Sequence, residues 1–174
     1  RDRLRSRGLG DVYKRQRCIR RHYPQTEFNM IGFIEPTEKH YKEDLRKLQE
    51  EGIIIYRGSQ KDVKPFVARA HATIHPSTYG EGMSNVLLES ASSGRFLITT
   101  NNPGCQETLE DGETGFIYPG GNVDALVDAI ERFLAMSNTQ RQQMGELGRE
   151  RVKNIFSRTI VVNAYKEKIK ELLS

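Results

Sequence analysis

Short apolar runs alternate along the chain with segments whose apolar positions recur every three or four residues, and glycine or proline stands at nearly every junction. FNMIGFI (28–34) predicts a strand. TEKHYKEDLRKLQEEG (37–52) predicts a helix, with Thr37 as its cap, Tyr41, Leu45 and Leu48 as its apolar stripe and Gly52 just past its end. IIIYRG (53–58) is apolar enough to be a strand buried on both faces. KPFVARA reads as a short helix and ATIHP (72–76) as a third strand. A helix over 84–93 follows, with Val86, Leu87, Leu88 and Ala91 on its apolar face and Gly94 as its stop, and then the strands RFLITT (95–100) and GFIYP. Helices over 123–136, 139–156 and 157–173 close the chain, the last with Ile160, Val161, Ala164, Ile169 and Leu172 on one face. Strand and helix in alternation predict an α/β, doubly wound parallel (Rossmann-like) sheet. RCIRRHYPQT reads as the last part of a helix with no strand before it, so the pattern leaves the first strand of such a sheet missing.

Composition bears on this picture mainly through charge. With 174 residues, 36% of them hydrophobic, the chain can bury one sizeable core. The formal charge of +4 suggests a polyanionic partner until it is divided along the chain. Residues 1–22 carry nine of the 27 Lys and Arg against two of the 23 Asp and Glu, which leaves the remainder net acidic. Residues 1–16, RDRLRSRGLGDVYKRQ, have no apolar period and resemble a translated adapter, so we set them apart from a domain over 17–174. A basic arm for RNA or anionic lipid is the alternative reading of that tail; nucleic acid is not an expected partner of the domain. No apolar run approaches the ~20 residues that span a bilayer, and a cytoplasmic location is expected, with the inner face of the cell membrane left open. Cys18 and Cys105 read as free thiols. His71 and His75 fall on a predicted strand, where four residues span about 13 Å, so no metal site is expected from them.

The candidate chemistry lies in HPSTYGEGMSNVLLES (75–90), which ends a strand, crosses Gly80 and Gly82 and enters a helix. In doubly wound sheets ligands sit beyond the carboxyl ends of strands, where loops meet helix N-termini. Gly80 and Gly82 remove side chains where backbone N–H groups would approach a ligand, and a helix opening at Ser84 and Asn85 offers donors and the positive end of its dipole to an anion. Ser84 and Asn85 equally suit a helix cap. Glu81 and Glu89 would lie about 12 Å apart along a helix axis, too far for the roughly 5–9.5 Å of a glycosidase pair. That separation suits an extended ligand with a carboxylate on hydroxyls at each end and an anion between, the layout of a nucleotide sugar.

EGMSNVLLE (81–89) resembles the E-x7-E motif of retaining glycosyltransferases of the GT-B architecture. Residues 75–134, including PGCQETLEDGETGF, are similar to their C-terminal donor-binding domain, above all in transferases that build bacterial capsule, exopolysaccharide or lipopolysaccharide. The resemblance implies that Glu81 contacts the donor sugar near the reacting carbon as the catalytic residue and that Glu89 binds the ribose hydroxyls. Gly82, Met83, Ser84, Asn85 and Val86 would cradle the diphosphate. It implies no separate cofactor or metal, a UDP-sugar as donor, and a glycan or lipid-linked acceptor held through a missing N-terminal domain. Peripheral membrane association of the full enzyme goes with that acceptor. A GDP-sugar donor and a non-catalytic nucleotide-binding module are the alternatives. Base selectivity would lie near YRGSQKDV, and Gly104 and Glu107 suit either a structural turn or a donor contact. In that family the final helix packs back toward the N-terminal domain.

Overall fold

The computed structural model describes residues 19–33, 39–80 and 82–173. Cys18, Thr37 and the tail over 1–16 lie outside the described residues. Among the described residues five strands run β1 Asn29–Ile31, β2 Ile55–Gly58, β3 Ala72–His75, β4 Phe96–Thr100 and β5 Gly115–Tyr118. The helices are α1 Lys39–Glu50, α2 Lys64–Arg69, α3 Asn85–Ser92, α4 Val123–Ala135, α5 Asn138–Ile155 and α6 Arg158–Leu173. Order and type follow the sequence pattern, and all strand pairing is parallel, with Asn29 opposite Ile55, Ala72 opposite Phe96 and Leu97 opposite Gly115.

The strands form two ladders, β1-β2 and β3-β4-β5. Side chains join the two: Phe28, just ahead of β1, packs into the cluster around Phe96 and also into the one formed by Leu45, Leu48 and Ile54 beneath α1. β4 is the central element. All five of its residues are buried, because a parallel strand between two others has helices over both faces. Phe96 and Ile98 face Leu126, Ala129, Ile130 and Phe133 of α4, whereas Leu97 joins Leu87 and Ala91 of α3, Cys105, Leu109 and Val152 of α5. The alternating side chains of one strand thus anchor opposite layers.

Helix ends carry their own chemistry. Asn122 Oδ1 accepts the Ala125 N–H at the start of α4 (3.0 Å). α5 opens with a capping box: Ser137 Oγ accepts from the Gln140 N–H, and Gln140 Oε1 accepts from the Ser137 N–H. Ser137→Ala is expected to lower the unfolding free energy by about 0.5–2 kcal/mol, read as a shift of the urea midpoint at unchanged slope. α6 buries none of its residues. Ile160, Val161, Ile169 and Leu172 of the predicted stripe are exposed along it, and so is Tyr165.

Candidate functional site

The loop after β3 is built by hydrogen bonds that the linear sequence does not display. Ser77, nearly buried, donates its hydroxyl to the Tyr79 carbonyl (2.9 Å), and its own carbonyl accepts from Asn102 Nδ2 (2.8 Å). The Ser84 N–H donates to the Gly104 carbonyl (2.8 Å). Two loops that follow neighbouring strands are therefore tied together at the mouth of α3. Gly104 has φ +83°, a conformation natural to glycine, and its N–H donates to Glu107 Oε2 (2.8 Å). Of the two readings open for Gly104 and Glu107, the geometry supplies the structural turn. Arg151 of α5 extends the brace, donating through Nη2 to the Glu107 carbonyl (3.3 Å) and pairing through Nη1 with Glu110 (3.3 Å).

At the mouth of α3 the polar groups are left open. Ser84 is the N-cap residue, with extended backbone, but its side chain makes no cap bond. Its Oγ is shut from solvent and has no hydrogen-bond partner among the described residues, and the same holds for Thr100 Oγ1 at the end of β4. A buried hydroxyl without a partner costs about 1–3 kcal/mol. The first turn carries no acidic side chain, and Asn85, Val86 and Leu87 occupy the positions whose N–H groups a helix leaves without an intrahelical carbonyl. Leu87 and Ala91 are fully buried and fix the helix, while Asn85, Val86 and Glu89 lie on its exposed face. The Glu89 carbonyl accepts from the Ser93 hydroxyl (2.9 Å), but its carboxylate has no hydrogen-bond or ion-pair partner among the described residues. Glu89 stands four residues beyond Asn85, roughly 6 Å along the axis.

The predicted residues are thus partly brought together. Ser84, Asn85, Val86 and Glu89 share one helix end. Gly82 and Met83 lead into it, Gly82 exposed and with open space where a Cβ would stand. Glu81 lies outside the described residues. A Cβ at Gly80 would meet Pro103 at an ordinary 3.8 Å, so packing within the described residues does not require glycine there. The sequence pattern does not single out Asn102 and Thr100 as parts of the site's frame; the Asn-Pro-Gly turn at 102–104 is the signal that marks this loop. A small recess with room for about one water sits beside the same loop, lined by Pro76, Thr78, Tyr118 and the start of α4. Burial, with the nearby Cys105 thiol adding to it, pushes the Tyr118 phenol well above its ordinary range, so it stays protonated.

Uncapped N–H groups and a helix dipole favour an anion, and an exposed carboxylate one turn along accepts hydrogen bonds from hydroxyls. The family model described as "Glycosyl transferases group 1" matches residues 5–136. The lipopolysaccharide core biosynthesis glycosyltransferase LpsE of Rhizobium meliloti is 31% identical over 128 residues, 71% of this chain and 37% of that protein. Among solved structures, Anabaena HepE in complex with UDP and glucose superposes with a TM-score of 0.78 at 17% identity, over 91% of this chain and 44% of that one. The C-terminal domain of a group 1 glycosyl transferase, LpcC of Francisella tularensis, does so with a TM-score of 0.75 at 17% identity, over 88% of this chain and 82% of that one. At such identities the structural likeness carries the fold, GT-B, and no more. The chain spans a little over a third of LpsE.

Proposed function

The chain belongs to the group 1 glycosyl transferases, and from that premise we propose that it is the C-terminal, donor-binding part of a retaining enzyme that uses a UDP-sugar in cell-surface polysaccharide synthesis. The observation that carries this reading is the mouth of α3: a helix end with no side-chain cap bond and no acidic side chain in its first turn, with the exposed Glu89 carboxylate four residues on and without a partner among the described residues. The diphosphate would sit at the N–H groups of Asn85, Val86 and Leu87. Glu89 would take the ribose hydroxyls, since four residues of helix match the reach from a ribose hydroxyl to its own phosphate. Glu81 would meet the donor sugar beside the reacting carbon. In such a transfer the bond from the sugar to the diphosphate breaks as that to the acceptor oxygen forms. Stabilising the departing negative charge and holding the partners in line supply the rate, without a covalent nucleophile. A glycan or lipid-linked acceptor would bind through the portion of the full protein beyond this domain. The relative LpsE acts in lipopolysaccharide core biosynthesis and the neighbour HepE holds UDP and glucose, which supports the pathway class and the nucleotide.

Titration calorimetry with UDP and GDP tests this. UDP should bind in preference to GDP. Glu89→Ala should weaken it by roughly 10- to 150-fold, the value of charge-assisted hydrogen bonds worth about 1.5–3 kcal/mol. UDP affinity that is unchanged in Glu89→Ala would defeat the ribose assignment, and wild-type chain that binds neither nucleotide would defeat the reading as a whole.

A further inference from the structure

Tyr118 ends β5 with its ring among Phe116, Leu126 and the rest of the cluster over α4, and it is only 4% exposed. A buried phenol normally finds a hydrogen-bond partner, yet among the described residues its hydroxyl has none. The side chain instead lines the small recess beside the loop after β3, whose walls include Pro76, Thr78, Asn122 and Leu126. β3 and β5 flank β4, so their ends stand about 10 Å apart. A recess shared by Thr78 and Tyr118 therefore crosses the end of β4, and the two residues make no direct hydrogen bond across it.

The recess has room for about one water. Its polar side chains are the Thr78 and Tyr118 hydroxyls and the Asn122 amide, whose Oδ1 accepts the Ala125 N–H while its Nδ2 has no partner among the described residues. All three are neutral, the phenol because burial keeps it protonated, so no charge there attracts a metal ion. Asn122 already caps α4 and Asp124 stands in its first turn, which disfavours an anion at that helix end. A neutral molecule that both donates and accepts fits, and the three groups supply the roughly two to four polar partners that a held water needs. Thr78 and Asn122 are exposed where Tyr118 is buried, so the recess opens to solvent beside them and ends on the tyrosine.

We propose that this recess binds one ordered water that joins the Tyr118 hydroxyl to Thr78 and Asn122, and that the water anchors the root of the loop leading to the mouth of α3. The neighbouring Ser77 carbonyl is held directly by Asn102 Nδ2 (2.8 Å). The loop is then tied on one side to the segment after β4 and on the other, through the water, to β5 and α4. The site is independent of what the mouth of α3 binds.

A crystal structure of the whole chain, at a resolution that shows waters, should place one within roughly 2.6–3.2 Å of the Tyr118 hydroxyl and of at least one of Thr78 and Asn122. Tyr118→Phe and Thr78→Val each take away one of its partners, so each should lower the urea midpoint at unchanged slope. Removing a phenol that had no partner would instead be neutral or stabilising. Because both act on one water, the double variant should lose less than the sum of the two single shifts. Amide hydrogen exchange at Thr78 and Tyr79 should quicken in Tyr118→Phe. Absence of a bridging water from the crystal, a midpoint unchanged or raised in Tyr118→Phe, or strictly additive shifts overturns the water site, and unaltered exchange at Thr78 and Tyr79 overturns its anchoring role.

Discussion

Replacing Gly145 by alanine is expected to destabilise the domain by more than about 2 kcal/mol, whereas the same change at Gly148, one turn along α5, should be neutral or stabilising by up to about 1 kcal/mol. In an exposed helix both changes would gain roughly 1 kcal/mol from helix propensity alone. Their surroundings separate them. A Cβ at position 145 would overlap the Gly94 carbonyl oxygen and fall 3.0 Å from its carbon, against backbone that cannot rotate away. At 148 it would meet Thr114 at 3.6–3.7 Å, ordinary contact distance. Gly94 itself ends α3 with φ +68°, its N–H on the Ala91 carbonyl and the Arg95 N–H on that of Ser90, the turn that satisfies a helix C-terminus. α5 therefore rests backbone to backbone on the end of the helix whose other end is the candidate site. Overpacking a core costs about 1–3 kcal/mol, and relief here requires moving α5 off α3 and β4, which it packs against. Urea denaturation of both variants gives the stabilities, and calorimetry with UDP shows whether a shifted α3 also weakens binding in Gly145→Ala.

The pair of glycines shows where sequence reading stops. Within TQRQQMGELGRERVKNIF, Gly145 and Gly148 register only as weak points in a helical pattern; the contact that makes one of them indispensable comes from a turn some fifty residues earlier. Elements set by local periodicity were legible for the opposite reason. The change from ATIH to the Leu87–Ala91 spacing is local, and β3 and α3 begin and end within a residue or two of expectation. Ser84 was legible as the residue at the helix boundary, but not that its hydroxyl makes no cap bond or that its N–H is taken by the Gly104 carbonyl twenty residues on. The division into two ladders was hidden too. Which strands touch is a non-local property, and β1, three residues long with its register shifted between Met30 and Ile31, offers little edge to pair with. The resemblance of 75–134 to a known family named the candidate site residues; only the folded chain shows that Asn102 and Glu107 hold their loops in place.

The second large effect separates stability from binding at one atom position. Asn85→Asp exchanges an amide for a carboxylate of nearly the same shape on an exposed residue at the first turn of α3. A negative charge there interacts favourably with the helix dipole, so the variant should unfold at equal or slightly higher urea, a gain of about 0.3–1 kcal/mol. The diphosphate would feel the same carboxylate as a repulsive neighbour. At roughly 6 Å and an effective dielectric constant near 20, each pair of unit charges costs on the order of 3 kcal/mol, and a diphosphate carries more than one. UDP binding at low salt should thus fall at least 100-fold while the fold is unharmed, with part of the loss recovered at 0.5 M salt, where the Debye length falls to about 4 Å. Asn85→Ser, uncharged, should bind within a few-fold of wild type. If Asn85→Asp bound UDP as well as wild type, the anion would have to lie elsewhere than the mouth of α3, because no arrangement that places it against those N–H groups avoids the charge one residue away.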